Sequence, residues 1–501
     1  MRFFSRAGTA ASLLAVAQAA PQMYPISPND TDDSAARAAF VKDIFRTAFN
    51  GYLEFAFPND ELLPVNNSFD NSFGGWACSA VDALGTALVM DMPDVVNTVL
   101  DYIPNINFGA PKDNQAISLF ETNIRYPSKV DILLEQTAHL ANNLSFAFET
   151  PTGIPFNGLY INNRSNTGSE TNGLATTGTL VLEWTRLSDL TDNETYTNLT
   201  QRAEEYILSP TPATSEPYPG LVGSDINITT GAFTDAFGGW IGGADSAYEY
   251  LLKMYVYDST RFARYRDRWI LAADSTIANL ASHPGSRPDL TFLAEYNGTD
   301  LIFESQHLAC FDGGNFILGG LVLGEQKYTD FGLELVAGCE ATYNATLTGL
   351  GPEVFSWNET ELPANQTEFY ERAGFFIVDG FYRLRPEVIE SFYYAYRATG
   401  DRKYQDFAWR AVQSLAQVTR VGSGYSYIKD VNAQGGGGFD NFQDSFFFAE
   451  TLKYSYLIFA EDAPYQVQRS GNNEFVFTTE GHPLRVANQL TPGSQAWQEK
   501  S

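Results

Sequence analysis

The chain has 501 residues and carries 60 acidic against 31 basic side chains, a formal net charge of −29. Such a polyanion is repelled by nucleic acid and by anionic membrane surfaces, so neither is an expected partner. Three cysteines cannot staple a fold of this size, and a chain this long buries a large core without them.

At the N-terminus MRFFSR is basic, ASLLAVAQAA is apolar but too short to span a bilayer, and Ala17-Gln18-Ala19 is an A-x-A cleavage pattern. Residues 1–19 are therefore read as a signal peptide, and the mature chain as a secreted protein with no membrane anchor. Pro21 and Pro28 interrupt any helical continuation, and 20–37 is read as a flexible lead-in. Eleven N-x-[ST] sequons, from Asn29 to Asn365, agree with a secretory route.

Helical segments then recur in pairs. SAVDALGTALVMDM precedes PDVVNTVLDYI, LATTGTLVLEWTRL precedes NETYTNLTQRAEEYIL, and ADSAYEYLLKMYVY precedes DSTRFARYRDRWILAADSTIANL. GGNFILGGLVLG with YTDFGLELVAGCEATYNATL, RPEVIESFYYAYRATG with RKYQDFAWRAVQSLAQVT, and DSFFFAETLKYSYLIFA continue the pattern. The first member of each pair is apolar nearly all round and must be buried on every side, whereas the second has one wet face. An inner ring of buried helices inside an outer ring of amphipathic ones satisfies both, which makes the fold an all-α, α/α barrel over residues 38–486. A solenoid of the same pairs is the alternative. VGSGYSYI and NNEFVFTTEGHPLRV read as hairpins at one end, and 487–501 as a disordered tail.

In an oxidising compartment Cys310 and Cys339 are the better candidates for a disulfide, closing a loop worth about 3–4 kcal/mol. Cys78, inside GGWACSAVDAL, is left as a buried thiol.

Several inner helices begin with charged residues among apolar and aromatic neighbours: Glu121 in SLFETNIRY, Asp245 in GGADSAYEY, Arg385, Glu387 and Glu390 in RLRPEVIESFYYAY, and Glu450 in SFFFAETLKY. Buried carboxylates are costly unless paired, and a single one reads as a structural acid or helix cap. Repeated at the starts of one ring of helices, they converge at one barrel end. Converging acids with Arg and aromatics suit glycoside hydrolysis, in which one carboxylic acid protonates the leaving oxygen and another activates water. They also suit an oxygen-ligated cation such as Ca2+. A zinc site is not expected, because His139, His283, His307 and His482 are scattered.

At these residues the chain resembles glycoside hydrolase family 47, the class I α-1,2-mannosidases, and most of all their secreted fungal members. The motifs run in family order: GW-x-x-SAVDAL, LFETNIRY, NGLATTGTLVLEWTRLSDL, DSAYEYLLKMYVYD, SQHLACFDGG, GPEVFSW, LRPEVIESFYYAYR, DSFFFAETLKYSYLIF and FTTEGHPLRV. The resemblance implies an (α/α)7 barrel plugged by a C-terminal hairpin, and an inverting, calcium-dependent hydrolase acting as a monomer on high-mannose N-glycan. By the same resemblance Glu121 is the general acid acting through water, and Asp245 and Glu387 compete for the role of base. Glu353 matches a further acid once proposed as proton donor. Arg125, His307, Arg385, Glu390, Phe446, Glu450 and Glu480 match the sugar pocket. Thr479 matches the Ca2+ ligand, and Cys310 and Cys339 the family disulfide. Gly243 stands where single-step members carry Arg, which implies broad trimming toward a five-mannose product. Read structurally, Gly242-Gly243 only lets the chain turn into the helix at Ala244.

Three positions depart from the family pattern. Thr478-Thr479-Glu480-Gly481-His482 replaces N-T-E-A-H, and Thr176 lies where many relatives carry Glu. More seriously, Pro127 follows Glu121 by six residues and disfavours helical geometry at Tyr126. The second inner helix therefore loses its far half, which motivates the alternative of an inactive or glycan-binding relative of the same fold.

Overall fold

The computed structural model describes residues 34–112, 115–126 and 131–487. The segment read as a signal peptide, the sequon at Asn29, Pro127 and the tail from 488 lie outside the described residues.

In chain order the helices are α1 (Ser34–Phe55), α2 (Cys78–Val89), α3 (Pro93–Tyr102), α4 (Leu119–Arg125), α5 (Asp131–Leu144), α6 (Leu174–Gly178), α7 (Val181–Thr191) and α8 (Thr195–Leu208). There follow α9 (Asp245–Tyr257), α10 (Ala263–Asn279), α11 (Phe311–Leu323), α12 (Gln326–Asn344), α13 (Thr367–Ala373), α14 (Glu387–Thr399), α15 (Lys403–Val418) and α16 (Leu452–Leu457). One π-helical turn, Phe447–Thr451, runs directly into α16.

These elements form an all-α barrel. The helices α2, α4, α6 with α7, α9, α11, α14, and α16 with its π turn contact one another in sequence, and the last returns to α2, closing an inner ring of seven. Outside it lie α3, α5, α8, α10, α12, α15 and α1, each against the inner helix beside it. Closure excludes a solenoid. Ser34–Arg37, ahead of the boundary read at 38, already belong to α1. That helix packs on α16, so the first and last helices of the described residues complete one pair.

The reason for the two rings is visible in burial. Ten residues of α11, from Phe311 to Gly320, are all buried, and α14 is buried from Glu387 through Ala395. On α15 the buried side chains Tyr404, Ala408, Trp409, Val412 and Leu415 recur at helical spacing and leave the other face to water. Cys310 and Cys339 form the disulfide, which ties the start of α11 to α12, and Cys78 is a buried thiol.

Both hairpins read in the sequence are present, Arg420–Val421 with Gly424–Tyr425 and Phe475–Phe477 with Pro483–Arg485. The connections hold more strand than expected, including a three-stranded sheet of Glu304–Gln306, Val354–Ser356 and Phe376–Asp379. The second inner helix is short: α4 has 7 residues where α9 and α14 have 13. Tyr126, just beyond it, packs edge-on against Trp76 and Phe108. A cavity of about 30 Å3, lined by Asn123 and Tyr126 with residues of α5 and α7, lies next to the shortened end.

Candidate active site

The inner helices begin around one cavity of about 430 Å3. Its wall includes Glu121 and Arg125 of α4, Gly243 and Asp245 at the start of α9, Arg385, Glu387 and Glu390 at the start of α14, Phe446 and Glu450 at the π turn, and Thr479 and Glu480 of the C-terminal hairpin. Residues distant in sequence thus meet because successive inner helices point their N-termini the same way, where carboxylates are also favoured by the helix dipole.

Local structure fixes each acid. Ser118 caps α4, its hydroxyl accepting the N–H of Glu121 at 3.1 Å, and the Glu121 carboxylate is bonded to Arg125 one turn later. Asp245 opens α9 and accepts the N–H of Ser246 at 2.8 Å through Oδ1. Burial, with Glu249 and Glu387 nearby, raises the Asp245 carboxyl to about 7. Glu387 opens α14, and its Oε2 lies 2.8 Å from His307 Nδ1 while Oε1 lies 3.9 Å from Arg385. Leu384, just upstream, takes a left-handed backbone (φ 61), and the Thr451 hydroxyl donates to its carbonyl at 2.6 Å. Such strain persists only where the surroundings hold it, here at the turn that presents Arg385.

Two expected site residues, His307 of the sugar pocket and Glu353 of the catalytic acids, stand behind the wall rather than on it. His307 is 2 % exposed and sits between Glu387 and the Tyr343 hydroxyl, 2.7 Å from its Nε2. Glu353 is buried and accepts from Arg385 Nε at 2.7 Å and from Arg383 Nη1 at 3.0 Å. The carboxylate is held by two guanidiniums and is absent from the cavity wall.

Other groups at the cavity are absent from the sequence reading. Glu249, one turn after Asp245, lines it. Ser118, Phe120 and Asn157 line it as well. Below, Asp82 is fully buried and faces Arg125 at 3.8 Å and His482 at 3.3 Å, and burial raises its carboxyl to about 7. Charged residues inside otherwise apolar helices, as in SAVDAL and YEYLLK, are the signal that could have found Asp82 and Glu249.

The chain matches Glycosyl hydrolase family 47 over residues 44–486. It belongs to that family. It is 52% identical to mannosyl-oligosaccharide alpha-1,2-mannosidase 1B of Aspergillus phoenicis, over 95% of this chain and 98% of that protein. A mannosyl-oligosaccharide alpha-1,2-mannosidase of Penicillium citrinum is 53% identical over 92% of this chain and 94% of its own. Among solved structures, an alpha-1,2-mannosidase from Trichoderma reesei superposes with a TM-score of 0.88 at 48% identity, covering 90% of this chain and 99% of that one. A D-mannose isomerase shares the barrel alone, at 14% identity and a TM-score of 0.53. Family 47 membership makes the chain a glycoside hydrolase, and among its described residues no helix is long and apolar enough to cross a membrane.

Proposed function

We propose that the chain is an inverting α-1,2-mannosidase that removes α-1,2-linked mannose from high-mannose N-glycans. The observation that carries the proposal is the convergence of Glu121, Asp245 and Glu387 on one cavity in a family 47 chain. Inverting hydrolysis needs an acid on the leaving oxygen and a base on a water at the opposite face of the ring.

Glu387 is the better base of the two candidates. His307 and Arg385 hold its carboxylate in one orientation, which suits a group that must meet an incoming water. Among the described residues Asp245 has no hydrogen-bonded cation, and its carboxyl, raised to about 7, keeps its proton through the mildly acidic range. It fits the acid side with Glu121, passing a proton toward the glycosidic oxygen through water. Phe446 offers an aromatic face to the sugar ring, and Arg125 and Arg385 donate to its hydroxyls.

The donors around Thr479 fit a calcium ion. They are hard oxygens, and Glu480 Oε1 is buried without a hydrogen-bond partner. Among the described residues no three His, Cys, Asp or Glu side chains are placed to hold a metal directly. Thr479 would therefore bind it through hydroxyl and carbonyl, with Glu387, Glu390, Glu450 and Glu480 reached through water. When bound, the ion supplies positive charge that grips sugar hydroxyls and stabilises a distorted ring.

The shortened α4 motivates the alternative of glycan binding without turnover, but Glu121 and Arg125 precede the shortening and both line the cavity. Secretion, as a monomer, and trimming toward a five-mannose product belong to the same proposal. Incubating the purified protein with a nine-mannose glycan, with and without a chelator, tests it. Calcium-dependent release of mannose is expected, and binding without release would establish the alternative.

A further inference from the structure

The tip of the C-terminal hairpin, Thr478–His482, is held by groups that the proposed chemistry does not use. Within the tip, the Thr478 N–H donates to His482 O at 2.9 Å and the Gly481 N–H to Thr478 O at 3.0 Å. Gly481 supplies the left-handed backbone (φ 67) that the turn requires. These bonds close the turn on itself without fixing where it sits in the barrel.

Arg125 and Asp82 meet the side chains of Glu480 and His482, and three other side chains of the inner ring hold the backbone of the tip. Tyr250 on α9 accepts the Thr479 N–H on its hydroxyl oxygen at 3.1 Å and donates its own proton to Glu183 on α7 at 2.5 Å. Lys253, nearly one turn along α9, donates to Thr478 O at 3.2 Å. Lys453 on α16 donates to Gly481 O at 2.7 Å. Both lysines are buried, at 2 % and 0 % exposure, a placement that is costly unless each charge is matched. Lys253 is bonded to Glu249 one turn back, and Lys453 faces Glu450, Asp82 and Glu480. Neutralising acids needs only a carboxylate contact, yet both ammonium groups also reach a backbone carbonyl of the same turn. With the carbonyls of Thr478 and Gly481 so occupied, that of Thr479 accepts no hydrogen bond among the described residues, while the residue lines the cavity.

We propose that Lys253 and Lys453, together with Tyr250, are positioning residues that lock the hairpin tip, so that the Thr479 hydroxyl and carbonyl face the cavity before any ion or sugar arrives. This rests on the reading of Thr479 as the calcium ligand. Prepaying the ordering of a binding turn tightens binding, because less freedom is lost when the ligand arrives.

The test uses the full chain and two readouts. Hydrogen exchange of the 475–485 segment is followed in metal-free protein, and calcium affinity is measured by calorimetry, for wild type, Lys453→Met and Tyr250→Phe. Faster tip exchange in both variants is expected without any metal present, together with about tenfold weaker calcium binding. Activity lost at low calcium should return as calcium is raised. Wild-type exchange, or faster exchange with unchanged calcium affinity, overturns the proposal. If Lys453→Met does not fold, Tyr250→Phe decides alone, since it removes a single oxygen. Thr479→Val separates the two readings: unchanged calcium affinity there would sink the ligand assignment, whereas the exchange measurement judges the clamp without metal.

Discussion

Arg125 Nε stands 3.6 Å from Glu480 Oε1 while its Nη1 is bonded to Glu121, so one guanidinium ties the shortened second inner helix to the hairpin tip. The same group faces Asp82 at 3.8 Å and Asp444 at 3.9 Å, and Ser445 accepts from its Nε at 3.0 Å. A single buried cation therefore serves four carboxylates. Arg125→Met should cost about 3 kcal/mol, because the buried Asp82 and Glu480 then keep only Lys453 as a nearby cation. Lys in its place reaches fewer partners and should recover only part of the loss. Chemical denaturation checks the stability, and kcat/KM should fall in the same order. Full stability in Arg125→Met would mean that the acids are satisfied in some other way.

Calcium removal gives a second expectation. An ion that binds only the folded state stabilises it by about 2.7 kcal/mol at a hundredfold excess over its dissociation constant. Chelated protein should melt lower and lose activity, and calcium should restore both. Thr479→Val should abolish that response while leaving the barrel folded, as read by circular dichroism. A calcium-dependent rise in melting temperature that survives in Thr479→Val would place the ion elsewhere.

The helix-start acids were legible because a charge within an apolar helix stands out, and Glu121, Asp245, Glu387 and Glu450 do meet. The closed ring was legible from the alternation of buried and amphipathic helices. The pairing of α1 with α16 was not, because it joins opposite ends of the chain. Strands of 2–4 residues, such as Phe376–Asp379, are too short to show alternation. Sequence also cannot tell a residue on the cavity wall from one just behind it, which is why His307 was placed on the sugar pocket and Glu353 among the catalytic acids. Lys253 and Lys453 were overlooked for a related reason: a lysine on an apolar helix reads as its one wet position, and only packing shows that both are buried.

Acidity should stabilise the metal-free protein over part of the range. Burial raises the carboxyls of Asp245 and Glu183 to about 7, from ordinary values of 3.8 and 4.5. Between those limits the folded state binds more protons than the unfolded chain, so stability falls as pH rises toward 7 and is lowest above it. With chelator present, the melting temperature should drop by roughly 5 °C or more between pH 5 and pH 8. Glu183→Gln should flatten the slope, because an amide has no charge to desolvate. A melting temperature that climbs over this interval would contradict the assignment.

The proposed product range rests on Gly243. The residue lines the cavity and adopts φ +93, and a Cβ added there would meet no heavy atom within 4 Å. The positive φ explains why glycine suits the turn into α9, and the open space explains how a missing side chain would leave room for more than one glycan branch. Both features hold at once, so the variants must separate them. Gly243→Ala carries the backbone strain, about 1 kcal/mol, without adding a hydrogen-bond donor. Gly243→Arg carries similar strain and adds a guanidinium able to pin one branch through charge-assisted hydrogen bonds. Wild type and Gly243→Ala should trim a nine-mannose glycan through the same ladder toward five mannoses, with Gly243→Ala slower. Gly243→Arg should stall after fewer cleavages and accumulate an early intermediate. Timed digests resolved by mass spectrometry give the ladder directly. The same ladder in Gly243→Arg as in Gly243→Ala would reduce the glycine to a turn residue and remove it from substrate selection.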